Sequence, residues 1–469
     1  MSTQLDPFSK GPAAGGGDRA DSNEAHHGPG AVIPPHKRLS HRLKSAVHAA
    51  PALDARLDAW FESARGPLGR ALREFAWHRL LPERRVRVSP FDATWDRDRG
   101  PLAGRRVLVL SLVPPEDTGG GSRPAQLAAE LHRRGCAIDW RWALPIFPWP
   151  SRRRPRIPGV EVRHVSETGL PGPADGRGPV HDLVLLEAPH PALLAIATSS
   201  RARRLAYDAI DLWDGSLGAG WWTPGADDEA VARADLLLAS SRLLRDDLAG
   251  RSGRPVALLP NAVDPRRFDP DVVRPVPEDL HRGAPTVGYV GALWGDWVDL
   301  DLVEHAARLL PGAAFDLVGP AGDRRLPSAP NVFALGPKAQ ADVPAYLAAF
   351  DVAIVPFATN RLTAAVSPLK AWEYLAMRRP VVSTPMPDLD GVPGVSFAED
   401  APGFARAIER AAREPFPADE VRDFLAHHTW SARVDELCRL AGLDAGDRAP
   451  VEGAKDTGVG IPPTPPARA

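Results

Sequence analysis

Residues 105–142, RRVLVLSLVPPEDTGGGSRPAQLAAELHRRGCAIDWRW, contain the pattern that decides the fold class. An apolar run of strand length leads into a glycine-rich loop, and an amphipathic helix follows and stops at Gly135. A second strand begins directly afterwards at Cys136. Because a strand, a turn, a helix and a strand in this order place the two strands in parallel, the stretch predicts an α/β fold.

The alternation of strands and helices continues along the chain and starts again after an irregular stretch. Apolar runs predict further strands at 181–188, 203–210, 234–240 and 255–260, and then at 285–292, 313–320 and 351–357. We therefore predict two doubly wound Rossmann-like domains, residues 104–275 and 284–420, which face an interdomain cleft. In such sheets ligands bind at the carboxyl ends of the strands.

The two ends of the chain differ in composition from the middle. Residues 1–35 are rich in Gly, Pro, Asp and His, and residues 446–469 are rich in proline, so both are predicted to be disordered tails. Residues 36–103 are predicted to form a helical extension with an apolar face and much Arg and Lys opposite. That extension either packs on the body of the protein or makes a peripheral contact with the anionic inner membrane, and the sequence leaves both interpretations open.

The overall composition is that of an ordinary globular protein. Of the 469 residues 44% are apolar and 25% charged, and the formal net charge of −2 gives no electrostatic reason to expect a nucleic-acid partner. The two cysteines match no metal-ligand spacing, and no run approaches the roughly 18 apolar residues of a membrane span. We expect a cytoplasmic protein.

A glutamate interrupts an apolar helix in residues 366–384, VSPLKAWEYLAMRRPVVST. Ser367 is a good N-cap and Pro368 suits the first helical position, so a helix is predicted to begin there. In helical spacing Glu373 lies on a stripe that should face protein. A carboxylate in that place is costly unless it accepts hydrogen bonds, either from a ligand or from a protein group such as Lys370.

Several segments, in the family's order, resemble the GT-B glycosyltransferases of family 4, also called glycosyl transferases group 1. They are DTGGGSRPAQLAAELHRRG, ADLLLASSRLLRDDLA with VALLPNAVDPRRFDP, GYVGAL with FDLVGP, and FDVAIVPF with SPLKAWEYLAMRRPVVST. The resemblance covers about 104–442. It implies the GT-B fold, with a closing helix at residues 421–442 that returns to the first domain and is anchored by Trp430.

The resemblance also implies a nucleoside diphosphate sugar as donor. Glu373 occupies the position at which the family's carboxylate accepts hydrogen bonds from the ribose hydroxyls, and a charged acceptor makes the stronger kind of bond. The other residues assigned to the donor are Lys370, Arg361, Ser367, Gly291, Gly120 and Gly121. The first two would neutralise the diphosphate, the serine begins a helix whose amides attract anions, and the glycines let the backbone approach a phosphate.

Two departures from the family pattern limit what can be carried over. The second glutamate that often lies eight positions before the first is replaced by Ala365, and the Arg and Lys pair common after the first strand of the donor domain is missing from GALWGDW at 291–297. Other groups must therefore recognise the sugar and neutralise the diphosphate. The identity of the sugar does not follow.

On the acceptor side, His190 and Asp211 follow predicted strands of the first domain and are expected to contact the reacting sugar or the acceptor. Members of the family usually retain anomeric configuration and need neither metal nor other cofactor, and no clear Asp-x-Asp motif is present here. We expect transfer of a hexose-type sugar to a glycan or lipid-linked acceptor of a cell-surface polysaccharide. A GT-B epimerase and a catalytically silent scaffold that binds sugar nucleotides are the alternatives.

Overall fold

The structure is a computed structural model that describes residues 90–91, 100–116, 121–144, 157–165, 178–293, 295, 297–321 and 324–444. The two predicted tails, nearly all of the predicted helical extension and Gly120 lie outside the described residues. What the sequence predicts for them stays a prediction.

The first part of the described chain forms a parallel sheet. Its strands are β1 (Arg106–Ser111), β2 (Ala137–Trp142), β3 (Val160–His164), β4 (Leu183–Leu186), β5 (Leu205–Ala209), β6 (Leu236–Ala239) and β7 (Ala257–Leu258), in the order β3-β2-β1-β4-β5-β6-β7. Its helices are α1 (Arg123–Arg133), α2 (Pro191–Ser199), α3 (Pro224–Arg233) and α4 (Arg242–Ser252). The central strands are unbroken apolar runs because helices cover both faces of the sheet.

The second part repeats this arrangement. Its strands are β8 (Thr286–Val290), β9 (Ala314–Val318), β10 (Val332–Gly336), β11 (Val352–Val355), β12 (Val381–Ser383) and β13 (Val395–Phe397), in the order β10-β9-β8-β11-β12-β13 and all parallel. Its helices are α5 (Leu300–Leu309), α6 (Val343–Ala349), α7 (Arg361–Ala364), α8 (Leu369–Ala376) and α9 (Ala401–Arg413). Among the described residues, two doubly wound sheets are thus present, as the sequence predicts.

The carboxyl ends of the two sets of strands meet across a cleft. Gln340, which follows β10, lies against Gly121, which follows β1: a Cβ on that glycine would be 3.1 Å from the Gln340 Nε2. Arg361, which follows β11, donates a 2.6 Å hydrogen bond to Asp214, which follows β5. Each contact joins a residue of one sheet's strand-end loops to a residue of the other's.

The described chain ends in two helices, where the sequence predicts one that returns to the first domain. They are α10 (Ala418–Leu425) and α11 (Trp430–Ala441), and the break falls at Thr429, whose hydroxyl caps α11 by accepting a 3.1 Å hydrogen bond from the Ala432 amide. Helix α10 packs in the core of the second domain through Val421 and Leu425, and only α11 returns to the first domain. Trp430 is 3% exposed and lies in the core of the first domain. Within the described ranges, no helix is both long enough and apolar enough to span a bilayer.

Candidate functional site

Helix α8 is fixed against the carboxyl end of β8 by Tyr374. The Val290 amide donates a 2.7 Å hydrogen bond to the Tyr374 hydroxyl, which in turn donates to the Val290 carbonyl at 3.2 Å. The helix begins at Leu369 with Pro368 in the N-cap position, so the predicted N-cap at Ser367 is wrong. The Ser367 hydroxyl is buried and accepts a hydrogen bond from the Asn261 amide at 3.2 Å instead.

Lys370, in the first turn of α8, points its ammonium group at aromatic rings. Nζ lies 4.4 Å from the centroid of the Phe357 ring and 5.4 Å from that of Tyr289. Burial lowers the pKa of Lys370 to about 8, although nearby Glu373 acts in the opposite direction. The ammonium makes no hydrogen bond or ion pair with any residue that the structure describes, so it is available to an anion in the cleft.

Gly291 lies directly beside Lys370. A Cβ at this position would be 3.0 Å from the Lys370 Cε and 2.9 Å from the Tyr289 hydroxyl, and its φ of +152° disfavours other residues. At Gly319, after the neighbouring strand β9, a Cβ would come within 1.8 Å of the Gly291 carbonyl oxygen. The chain therefore keeps side chains away from the space in front of the lysine.

Glu373 lies one turn further along α8 and is half-buried. Burial raises the pKa of its carboxyl group to about 7, and Arg267 and Lys370 oppose that rise. No described residue donates a hydrogen bond to this carboxyl group. The sequence leaves open a hydrogen bond from Lys370 as the alternative to a ligand. The structure does not contain that hydrogen bond.

Sequence reasoning missed Arg267, which lies in the segment between the domains. It lines a cavity of about 440 Å³ together with residues of α1 and of the loop before α6. Its guanidinium makes no hydrogen bond or ion pair with a described residue, and it favours the charged form of Glu373. Arg267 belongs to the segment PNAVDPRRFDP that the sequence singles out, but only the folded chain shows that this arginine acts electrostatically on Glu373.

The remaining donor-side residues are placed in different ways. Gly121 lies across the cleft from α8, in contact with Gln340. Arg361 is exposed and engaged, since it donates to Asp214 and lies 3.9 Å from Asp247 of the first domain. Any contact between Arg361 and a diphosphate would require those ion pairs to open.

Ala365 occupies the position where the family often has its second glutamate. It is 1% exposed and packs with Leu212, Ala239 and Leu244 in an apolar cluster that joins the two domains. A carboxylate buried there would have no water to solvate it. The apolar packing between the domains therefore suits alanine at position 365 and disfavours the family's glutamate.

On the other side of the cleft, His190 and Asp211 lie at equivalent positions after two neighbouring strands, because Leu186 of β4 pairs with Tyr207 of β5. The His190 Nδ1 accepts a 3.2 Å hydrogen bond from the Ala192 amide, and burial lowers its pKa to about 4. The imidazole is therefore neutral with its proton on Nε2, which leaves Nε2 as a hydrogen-bond donor. Burial raises the pKa of Asp211 to about 7.

An aromatic cluster adjoins this histidine. The Trp221 ring lies 5.5 Å from the His190 ring and 5.4 Å from the Trp213 ring, measured between centroids. Trp221 is half-buried, so part of its face is open to solvent. Aromatic faces of this kind suit the apolar side of a sugar ring.

Glu187, directly after β4, is a second residue that the sequence did not single out. It is 1% exposed, at the buried end of the strand. Burial raises its pKa well above the usual value, as does nearby Asp208, while Arg123 and a hydrogen bond with Ser111 act in the opposite direction. Burial and Asp208 therefore favour the protonated form of this carboxyl group.

We expect Glu187→Gln to stabilise the protein increasingly as the pH rises. A carboxyl group whose pKa is raised in the folded state contributes stability below its unfolded pKa and loses it as the pH rises toward the folded value. Between the unfolded and the folded pKa, the free energy of unfolding of the variant minus that of the wild type should increase by up to about 1.4 kcal/mol per pH unit. Urea titrations at pH 5, 6, 7 and 8 measure this, with exposed Glu420→Gln as control. Parallel curves for wild type and variant would show that Glu187 is not held protonated.

In the described part of the chain, no cluster of three or more His, Cys, Asp or Glu residues has the arrangement of a metal site. Among the described residues, Lys370 and Arg267 are the positive groups that act on the carboxyl group of Glu373.

Comparison with known proteins gives a family match in the second domain. Residues 284–414 match the family model described as Glycosyl transferases group 1. TuaH of Bacillus subtilis, provisionally named a teichuronic acid biosynthesis glycosyltransferase, is 29% identical over 202 residues. That alignment covers 39% of this chain and spans 50% of the length of TuaH.

Solved structures resemble the chain over a longer range. Anabaena HepE in complex with UDP and glucose is 17% identical with a TM-score of 0.51, and a UDP-forming α,α-trehalose-phosphate synthase from Burkholderia xenovorans is 15% identical with a TM-score of 0.50. Each likeness covers 72% of this chain and 99% of the other chain. At such identities the likeness shows a common fold and nothing finer.

Proposed function

Because this chain has the GT-B fold and carries a group 1 glycosyltransferase domain, we propose that it transfers a sugar from a nucleoside diphosphate sugar to a hydroxyl group of a glycan or lipid-linked acceptor. The observation that carries the proposal is the meeting of Lys370, Glu373 and Gly291 at the carboxyl end of β8. Helix α8 carries the unpaired ammonium of Lys370 and, one turn later, the unpaired carboxyl group of Glu373. Gly291 lies beside Lys370 and has no side chain. These are the groups that a diphosphate and a ribose need.

The donor lies along α8 in this proposal. Ionised Glu373 accepts hydrogen bonds from the two ribose hydroxyls, and Lys370 with the amino end of the helix binds the diphosphate. Arg267 adds positive potential beside the glutamate and favours its ionised form. The sugar then projects toward the first domain, where His190 donates a hydrogen bond from Nε2 and Trp221 offers a ring face.

During transfer the acceptor oxygen bonds to the anomeric carbon as the bond from that carbon to the diphosphate breaks. The electron pair leaves with the diphosphate, whose growing charge Lys370 stabilises, and the acceptor proton ends on the released diphosphate. Asp211, with a pKa of about 7, orients the acceptor hydroxyl. Retention of anomeric configuration and independence from metal ions are part of the proposal, and they rest on the resemblance to family 4.

The product belongs to a cell-surface polysaccharide in this proposal. TuaH, whose name places it in teichuronic acid biosynthesis, supports that assignment. The buried alanine at 365 favours one alternative, a silent relative that binds a sugar nucleotide without transferring the sugar, because a family carboxylate is absent there.

Ligand-dependent thermal shift followed by turnover assays tests the proposal. The panel contains nucleotide sugars and the nucleoside diphosphates with the same bases. At least one nucleotide sugar and its nucleoside diphosphate should both raise Tm, since a ligand at about 100 times its Kd stabilises the folded protein by roughly 2.7 kcal/mol. With the matching sugar nucleotide, release of nucleoside diphosphate should require an acceptor and persist in EDTA. Ligand binding without release for any glycan or lipid-linked acceptor would favour the silent relative, and a change of the sugar nucleotide without acceptor would favour the epimerase.

A further inference from the structure

Residues 260–261, at the point where the chain leaves the first domain, are held by three separate parts of the molecule. The Pro260 carbonyl accepts a 2.9 Å hydrogen bond from the Arg433 guanidinium of the returning helix α11. Asn261 contacts Arg123 at the start of α1 and Ser367 just before α8. The start of helix α1 in the first domain and the start of the donor helix in the second therefore share one neighbour.

The side chain of Asn261 is 9% exposed and both ends of its amide are used. Oδ1 accepts a hydrogen bond from the Arg123 Nη1 at 3.3 Å, and Nδ2 donates to the Ser367 carbonyl at 2.7 Å. The backbone amide of Asn261 also donates to the Ser367 hydroxyl at 3.2 Å. Because guanidinium only donates and carbonyl only accepts, a single orientation of the amide satisfies both partners.

Arg123 cannot move to follow a shifted partner. Its guanidinium donates to both Asp208 oxygens, at 2.9 and 3.0 Å, and the two side chains are 3% and 0% exposed. A bidentate ion pair as deeply buried as this one is costly to break. On the other side, Ser367 lies two residues before the first residue of α8. The position of Ser367 therefore determines where the helix starts and where Lys370 lies.

We propose that Asn261 is a positioning residue that aligns the start of helix α1 in the first domain with the donor helix α8 of the second. The inference rests on the proposed function, since the alignment matters for a reaction that uses both sides of the cleft. Asn261 itself does not touch the reacting atoms. It acts by tying Arg123, which is fixed, to the residue that precedes the donor helix.

Asn261→Ala tests this role because it removes both side-chain hydrogen bonds and keeps the backbone bond to Ser367. UDP serves as a probe of the donor side alone, while acceptor-dependent turnover requires both domains. We expect turnover to fall about tenfold or more, while the Kd for UDP changes by less than about twofold. A fall in UDP affinity as large as the fall in turnover, or unchanged turnover, would overturn the proposal.

Asn331→Ala is the matched control. The Asn331 Nδ2 donates to the carbonyls of Ala307, Leu310 and Ala313 at 2.9 to 3.0 Å, and all of these lie within the second domain. This variant should lose stability and yet keep the wild-type ratio of turnover to UDP affinity. An equal loss of turnover in both variants at the same loss of Tm would mean that Asn261 is only a structural residue.

Two further measurements keep the outcome decisive. If Asn261→Ala does not fold, Asn261→Asp is used instead. It keeps an acceptor for Arg123 but sets a second acceptor against the Ser367 carbonyl, and the same separation of turnover from UDP affinity is expected.

If the wild type binds no nucleotide, the proposed function fails, and calorimetry then tests the alignment alone. Heating should separate the two domains into two transitions in Asn261→Ala but not in Asn331→Ala; a single unchanged transition in the first variant would refute the role.

Discussion

Replacing Lys370 by methionine should lower turnover about a hundredfold, the usual cost of removing one group that stabilises charge on a leaving oxygen. The protein should not become less stable at pH 7. Methionine keeps the contact with the rings of Phe357 and Tyr289, and the burial that lowers the pKa of the lysine to about 8 is a cost that the apolar side chain avoids. Steady-state turnover and thermal unfolding of the same preparation measure the two effects.

Lys338→Met provides the control for this experiment. Lys338 also lies over an aromatic ring, 5.5 Å from the centroid of Tyr346, but its ammonium is paired with Asp279 and lies away from α8. Turnover of this variant should stay near that of the wild type. A Lys370→Met enzyme with wild-type turnover would show that another group neutralises the diphosphate.

Replacing Glu373 by glutamine should weaken nucleotide binding by roughly 1–3 kcal/mol, the range for losing a charged hydrogen-bond partner. Glutamine has nearly the same shape, but its side chain offers one oxygen as acceptor where the carboxylate offers two. Isothermal titration with the nucleoside diphosphate identified by thermal shift measures the change. Exposed Glu420→Gln on α10 is the control. An unaltered Kd for Glu373→Gln with the fold intact would make Glu373 a structural residue.

The same pair of residues predicts how binding depends on pH. Glu373 must be ionised to accept two hydroxyl donors, so affinity should rise as the pH increases through about 7, the pKa of its carboxyl group in the free protein. Lys370 must be charged, so affinity should fall again above about 8. In Glu373→Gln the rise on the acid side should disappear while the fall on the alkaline side persists.

The sequence was sufficient for the fold, and it singled out residues that the structure places near one another, although their role at a donor site stays a prediction. Strands buried on both faces appear as unbroken apolar runs, and the glutamate in the apolar stripe of α8 is visible because its neighbours are fixed by helical spacing. Lys370 and Gly291 were placed with it by the family pattern, and the structure brings them within contact distance. All of these signals are local in sequence.

What the sequence did not reveal depends on contacts between distant residues. Ser367 looks like an N-cap, yet its hydroxyl accepts a hydrogen bond from Asn261, which is 106 positions away, and the helix begins later. Arg267 and Glu187 stand in ordinary surroundings along the chain. Only folding brings Arg267 close enough to lower the pKa of Glu373 and buries Glu187 beside Asp208. Contacts between residues so far apart in the chain produce no periodic pattern in the sequence.

The returning helix α11 has a consequence for the order in which the protein is made. Trp430, Val434 and Leu437 complete the core of the first domain, although they leave the ribosome after the whole second domain. Domains usually fold in the order of synthesis, the amino-terminal one first. Here all strands of the second domain are made before the core of the first domain is complete, so part of the first domain's apolar surface stays uncovered until residues 430–441 are made. We expect the nascent chain to be prone to aggregation during that interval, because exposed apolar surface promotes it.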